Sequence, residues 1–349
     1  MPSPWAMPDF DDHELVHFVT DRASGLKAIV AVHSSHLGPG AGGVRFWHYA
    51  NDEAALVDAL RLSRGMSYKN AMAGLPLGGG KAVILADSER TKSPGMLAAY
   101  GRAVEGLGGR YLTAEDVGMT VADMVAIARE TRHVSGLPAA GGSIGGDPGP
   151  HTARGVFLGI KAAVRRALGK DSVAGLRIAV QGTGSVGGGV ARLAAAEGAH
   201  VIVADLDTAR AQALALEIGG KTASTAEILS TEADVVSPCA LGAILTPESI
   251  AALRTPIVAG GANNQLQTPD CGARLDARGV LYAPDYVINA GGIINVASEY
   301  LGDTDAGIVE RRIDNIPVRL EDVWSESTAT GEDPAAVADR MARALIGRA

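Results

Sequence analysis

Two lysines, Lys69 and Lys81, flank the segment Leu75-Pro76-Leu77-Gly78-Gly79-Gly80. A lysine accepts a proton near neutral pH only when its pKa falls from about 10.4 toward 7 or 8, which burial beside a second cation achieves. Lys81 is therefore a candidate general base, and Lys69 a candidate for both the second cation and the anchor of a substrate carboxylate. The glycines before Lys81 read as a loop without side chains, against whose backbone a small substrate can lie. Phosphoryl transfer is disfavoured: the spacing is not G-x-x-x-x-G-K-[ST], and Ala82 after Lys81 offers no hydroxyl for magnesium. Two solvated lysines beside a flexible loop are the alternative reading of the same residues.

A second constellation is Gly182-Thr183-Gly184-Ser185-Val186-Gly187, which fits G-x-G-x-x-G. In a chain with 45 glycines the motif alone says little, so its context decides. It follows the apolar run Ile178 to Val180 and opens a helical pattern with Val190, Leu193 and Ala194. Asp205 ends the next apolar run at about twenty residues' distance, as a dinucleotide site requires. The first two glycines let backbone amides approach a pyrophosphate at a helix N-terminus, and Gly187 permits close packing of helix on strand. A carboxylate at Asp205 would accept from the adenosine ribose hydroxyls and repel a 2′-phosphate, which favours NAD over NADP. For Asp205 taken singly, a solvated acid at a strand end is the alternative, since Asp207 lies two residues on.

These residues need elements to hold them. Leu15 to Val19 and Leu26 to His33 read as a hairpin-like pair of strands. Asn51, Asp52 and Glu53 begin a helix, with Leu56, Leu60 and Ser63 at helical spacing until Gly65. Ser93-Pro94 starts another that stops at Gly108-Gly109, and Thr120 with Asp123 approximates a capping box. Pro138 to Pro150, with Gly141, Gly142, Gly145, Gly146 and Gly149, cannot form a core element and is read as an interdomain connection. After it, Val156, Ile160 and Val164 mark an amphipathic helix. Short apolar strands at Arg177 to Gln181, His200 to Ala204, Ala233 to Val236, Pro256 to Ala259 and Val280 to Ala283 then alternate with helices. This is the pattern of a parallel sheet covered on both faces. Pro334 to Arg348 reads as a terminal helix with Val337, Met341 and Leu345 on one side.

The whole is an α/β chain of two domains: residues 1–137 as a catalytic and oligomerisation domain completed by a C-terminal helix at about 330–349, and 138–329 as a doubly wound Rossmann domain. A length of 349 residues exceeds what one growing core fills, so an active-site cleft between the domains is the expectation. An apolar content of 47% and a net charge of -8 fit a soluble globular protein and disfavour a nucleic-acid partner. No signal-peptide pattern opens the chain and no run approaches the ~18 apolar residues of a membrane span, so a cytoplasmic location without membrane attachment is expected. Cys239 and Cys271 are too few for a disulfide framework. His33, His36, His48 and His151 lack metal-ligand spacing, and no metal is expected.

Seven blocks, in order, carry a resemblance that covers nearly the whole chain. They are Leu37 to Gly43, Gly65 to Asn70, Gly78 to Lys81, Thr113 to Gly118, Pro238 to Gly242, Gly260 to Gln265 and Ala283 to Gly292. Together they resemble the Glu/Leu/Phe/Val dehydrogenases, within them the leucine, valine and phenylalanine branch. The resemblance implies NAD-dependent oxidative deamination of an apolar L-amino acid to its 2-oxo acid and ammonium, in a homo-oligomer. It implies that Lys69 binds the substrate carboxylate with the backbone around Gly42 and Gly43, and that Lys81 activates the water that attacks the imine. Asp116 would hold the nitrogen and share in proton transfer, and Asn263 would contact both the nicotinamide ribose and the substrate. Thr152 and the backbone of Cys239 and Ala240 become further cofactor contacts. Ala41, Ala114, Ile293 and Val296 match the side-chain pocket, an all-apolar set that disfavours glutamate and favours branched aliphatic substrates, with phenylalanine open. An NAD(H)-binding paralogue without activity, or a 2-hydroxy-acid dehydrogenase, are the competing readings; the lysine pair argues against both.

Overall fold

The structure, a computed structural model, describes residues 3–7, 9–87, 92–138, 146–303 and 305–348. Of the glycine-rich connection expected over Pro138 to Pro150, residues 139–145 lie outside that set. Two compact units result: Met1–Asp147 with Asn295–Ile308 and Ala342–Ala349, and Pro148–Ile294 with Val309–Met341.

In the first unit β1 (Leu15–Asp21) and β2 (Leu26–Ser34) pair antiparallel, Leu15 opposite Val32 and Asp21 opposite Leu26, as their composition predicts. Then come β3 (Gly40–His48), α1 (Asp52–Met72), β4 (Gly78–Ala86), α2 (Pro94–Gly106), β5 (Tyr111–Glu115) and α3 (Val121–Ile127). The strands form one sheet in the order β1-β2-β4-β3-β5, in which β4 is central, antiparallel to β2 and parallel to β3. Helix α1 starts where Asn51 predicts, the Asn51 side chain accepting from Ala54 N at 2.8 Å. It does not end at Gly65. Ser67, Tyr68, Asn70, Ala71 and Met72 are all buried, and that packed face carries the helix two turns further. Near the chain end, Arg348 donates to the carbonyls of Asp12 at 2.9 Å and His33 at 2.6 Å, fastening the last residues to β2 and the segment before β1.

The triglycine segment is not a loop: Gly78, Gly79 and Gly80 are the first residues of β4. Their missing side chains are used for packing. A Cβ on Gly79 would lie 2.1 Å from Ser67 N and 2.5 Å from Ser63 O, so α1 rests directly on the sheet there. A Cβ on Gly80 would lie 2.7 Å from the Tyr111 ring, which fills the other face, and one on Gly78 would lie 2.0 Å from Ser34 O.

The second unit contains α4 (Gly149–Leu168), β6 (Arg177–Gln181), α5 (Ser185–Ala196), β7 (His200–Ala204), α6 (Thr208–Ile218), β8 (Lys221–Thr222), β9 (Val235–Pro238), α7 (Pro247–Ala252), β10 (Ile257–Val258), α8 (Asp270–Ala277), β11 (Leu281–Tyr282) and α9 (Asp285–Ile288). Helix α10 (Gly291–Tyr300) follows, then α11 (Ala306–Asp314), α12 (Ile316–Thr330) and α13 (Pro334–Leu345). Six parallel strands run in the order β11-β10-β9-β6-β7-β8. The chain winds outward from β6 to β8, then returns to the other side of β6 at β9, which makes a topological switch point between β6 and β9. The edge strand β8 is missing from the sequence expectation because two exposed residues, Lys221 and Thr222, carry no apolar signal. Val156, Ile160 and Val164 of α4 are fully buried, as their spacing predicts. Trp324 of α12 is buried as well and donates from Nε1 to Tyr282 O at 2.9 Å. Among the described residues no helix is long and apolar enough to cross a membrane.

Candidate active site

Strand register builds the charged cluster of the first unit. Lys81 pairs across with Ala31, and Val83 with Arg45, so Lys81 and Arg45 project to the face that α1 covers. Asp116 is the first residue past β5, and Phe46 N donates to Val117 O at 2.9 Å, which turns the chain back along β3. Gly118, at φ 79°, permits the turn; a Cβ there would lie 2.1 Å from Phe46 O. The result is a contact of 2.7 Å between Lys81 Nζ and Asp116 Oδ2, with Lys81 only 6% exposed.

Asp116 has a second cation. Arg45 Nε donates to the same Oδ2 at 3.2 Å, while its Nη1 donates to Asp58 Oδ2 at 2.9 Å. Asp58 also accepts from Tyr49 Oη at 2.7 Å and from Arg61 Nη2 at 2.9 Å. Burial works to raise the Asp116 pKa, yet the charges of Lys81 and then Arg45 outweigh it and hold the carboxyl down at about 2. Neither Arg45 nor Asp58 is in the candidate set drawn from the sequence. The available signal was the alternation Gly43-Val44-Arg45, which puts Gly43 and Arg45 on one face once β3 is known to be a strand.

The substrate candidates of this unit lie on neighbouring strands. Ala41, Gly42 and Gly43 are on β3 and Ala114 is on β5, with Gly43 paired to Ala114. Ala41 and Ala114 are buried, as is Val296 of α10. A Cβ on Gly43 would lie 2.8 Å from Asp116 Cβ, so the absence of a side chain there lets Asp116 close against the strand. Lys69 stands in the last turn of α1, half-buried. Its neighbour Asn70 is fully buried, and Nδ2 donates to Gly78 O at 2.6 Å and Ala41 O at 3.4 Å, joining the end of α1 to β4 and β3. Tyr111 Oη donates to Gly42 O at 2.7 Å from beneath. The remaining pocket candidate, Ile293, belongs to the second unit.

In the second unit the three motif glycines stand in different surroundings. Gly182 has φ 92°, and a Cβ on it would lie 2.9 Å from Ala240 Cβ; one on Gly187 would lie 2.0 Å from Gly182 O. A Cβ on Gly184 would meet nothing within 4 Å, and Gly184 and Ser185 are exposed where Ser185 and Val186 open α5. An exposed helix N-terminus where a glycine leaves space fits a pyrophosphate. Across the switch point, Cys239 N donates to Gln181 O at 2.7 Å, placing Cys239 and Ala240 against the turn, and burial pushes the Cys239 thiol up. Asn263 Oδ1 accepts from Asn289 Nδ2 at 2.8 Å, and Thr152 Oγ1 donates to Pro148 O at 2.9 Å. Asp205 stands just past β7. Burial raises its pKa, but hydrogen bonds from the Thr183 and Asp207 amides, then Arg210, hold the carboxyl far below the usual range. The Arg210 contact, at 2.8 Å, is a further feature without a counterpart in the sequence reading.

Residues 13–133 match the family model for the Glu/Leu/Phe/Val dehydrogenase dimerisation domain, and residues 203–330 that for Glutamate/Leucine/Phenylalanine/Valine dehydrogenase. The chain is 46% identical to the leucine dehydrogenase of Bacillus subtilis (strain 168) over 337 residues, 97% of this chain and 92% of that one. It is 45% identical to the valine dehydrogenase of Streptomyces albus over 345 residues, 98% of this chain and 94% of that one. The crystal structure of L-tryptophan dehydrogenase from Nostoc punctiforme superposes with a TM-score of 0.84 at 40% identity, covering 96% of both chains.

Proposed function

Since the chain belongs to the Glu/Leu/Phe/Val dehydrogenase family and is an amino-acid dehydrogenase, we propose that it deaminates an apolar L-amino acid oxidatively, and reversibly, to the 2-oxo acid and ammonium, with NAD as its dinucleotide. The contact between Lys81 Nζ and Asp116 Oδ2 carries this reading: the lysine nitrogen and the carboxyl oxygen lie 2.7 Å apart, within hydrogen-bond reach, in a largely buried setting. Such a pair can pass a proton between water and a substrate nitrogen. In the proposed roles Lys69 holds the substrate carboxylate, Lys81 in its neutral form takes the proton of the water that adds to the imine carbon, and Asp116 holds the nitrogen and shares in the proton transfer that releases it as ammonium. Gly182 to Gly187, Asp205, Thr152, Cys239, Ala240 and Asn263 would hold the dinucleotide, whose nicotinamide would supply the hydride acceptor.

Ala41, Ala114, Ile293 and Val296 offer no charge to a distal carboxylate. They support a branched aliphatic substrate such as leucine or valine, the amino acids that name two of the relatives. One methylene is worth only about 1 to 3 kcal/mol of discrimination, so a larger apolar side chain is the graded alternative. Self-association of the chain belongs to the same proposal. The test is NADH consumption with a panel of 2-oxo acids, with and without ammonium. Turnover is expected for apolar oxo acids, only with ammonium, and Lys81→Ala should lower it by about 10²- to 10⁴-fold. Ammonium-independent turnover, or full activity of Lys81→Ala, sinks the assignment.

A further inference from the structure

The two oxygens of Asp205 already carry four hydrogen bonds. Oδ2 accepts from Thr183 N at 2.7 Å and Thr183 Oγ1 at 2.9 Å; Oδ1 accepts from Asp207 N at 2.9 Å and Arg210 Nη2 at 2.8 Å. Each carboxylate oxygen has about two lone-pair positions, so this acceptor is full. A ribose diol held by Asp205 must therefore displace a donor. Thr183 belongs to the glycine turn itself, and the Asp207 amide is fixed because its own side chain caps α6 by accepting from Arg210 N at 3.0 Å. The Arg210 guanidinium is the replaceable donor. Its side chain is 52% exposed, against 9% for Asp205, and an ion pair with one solvated partner opens at little cost.

A displaced Arg210 stays on the first turn of α6, beside the carboxylate that marks the ribose edge. A 2′-phosphate at that edge would face the charges of Asp205 and Asp207, and a guanidinium is the group best shaped to offset them. We infer that Arg210 is a specificity-determining residue for the dinucleotide: it competes with an unphosphorylated ribose for Asp205 and provides a counter-charge for a 2′-phosphate. Arg210 thus narrows a preference for NAD that Asp205 alone would make steep. This inference rests on the reading of Gly182 to Asp205 as the dinucleotide site.

The experiment is calorimetric binding of ADP-ribose and 2′-phospho-ADP-ribose to the full-length wild type, Arg210→Gln and Arg210→Lys; neither ligand carries a nicotinamide, so no turnover intervenes. In Arg210→Gln, ADP-ribose should bind about two- to fivefold tighter and the phosphorylated ligand about tenfold weaker, the latter difference shrinking at high salt. Arg210→Lys, which keeps the charge, should recover most of the affinity for the phosphorylated ligand. An affinity ratio unchanged between wild type and Arg210→Gln overturns the inference while the dinucleotide site stands. Failure of ADP-ribose to bind the wild type overturns the site and the inference together.

Discussion

At Asp116 two cations share one oxygen, and this decides how the carboxylate responds to acid. Its pKa in the fold, about 2, lies below the 3.8 of an ordinary aspartate. The ionised form is thus favoured in the folded state, so its contribution is fully present above about pH 4 and is lost as pH falls through about 2, a difference of about 2 kcal/mol. We expect the stability gap between wild type and Asp116→Asn, measured by urea unfolding, to shrink as the pH is lowered from about 4 toward 2; a gap constant over that range contradicts the pairing. Arg45→Gln removes one of the two cations and should shift the Asp116 titration, followed by carboxyl NMR, upward toward the ordinary value, with Arg45→Lys restoring part of the shift. The sequence made Lys81 legible through its glycines, and Asp116 only through a family block. Arg45 was hidden because the residues around it, Gly40 to His48, show no apolar alternation, so no face could be given to them.

At the scale of elements, the segment before Lys81 was legible in composition and misread in conformation. Three glycines suggest a loop when local propensity is all there is, and it is tertiary contact, α1 on one side and Tyr111 on the other, that makes them a central strand. Two glycines of the same unit should therefore respond oppositely to alanine. Gly79→Ala drives a Cβ into the Ser67 amide and the Ser63 carbonyl and should destabilise by about 3 kcal/mol or more. Gly65→Ala, inside α1 with nothing within 4 Å of the new Cβ, should stabilise by about 0.5 to 1 kcal/mol. Chemical denaturation of the two variants checks both signs. The parallel sheet, by contrast, was readable nearly strand by strand, because strands buried on both faces are continuously apolar and need no knowledge of which face is inside.

For the whole molecule, two units with separate cores make a single unfolding free energy ill-defined. The three tryptophans divide usefully: Trp5 and Trp47 of the first unit are exposed, while Trp324 is buried in the second. The shift of tryptophan emission on heating should therefore follow the second unit. Saturating ADP-ribose, at about a hundred times its Kd, should stabilise that unit by about 2.7 kcal/mol and move the emission transition upward. No movement would count against dinucleotide binding there. The first unit holds its own clock. Because β4 is paired on both edges and covered on both faces, the amides of Gly79 and Gly80 should be among the slowest of that unit to exchange with deuterated solvent. A triglycine stretch is ordinarily the first place where a label enters a protein. Here the strand that carries Lys81 should keep its protons until the unit opens as a whole, so the position of that lysine lasts as long as the fold does.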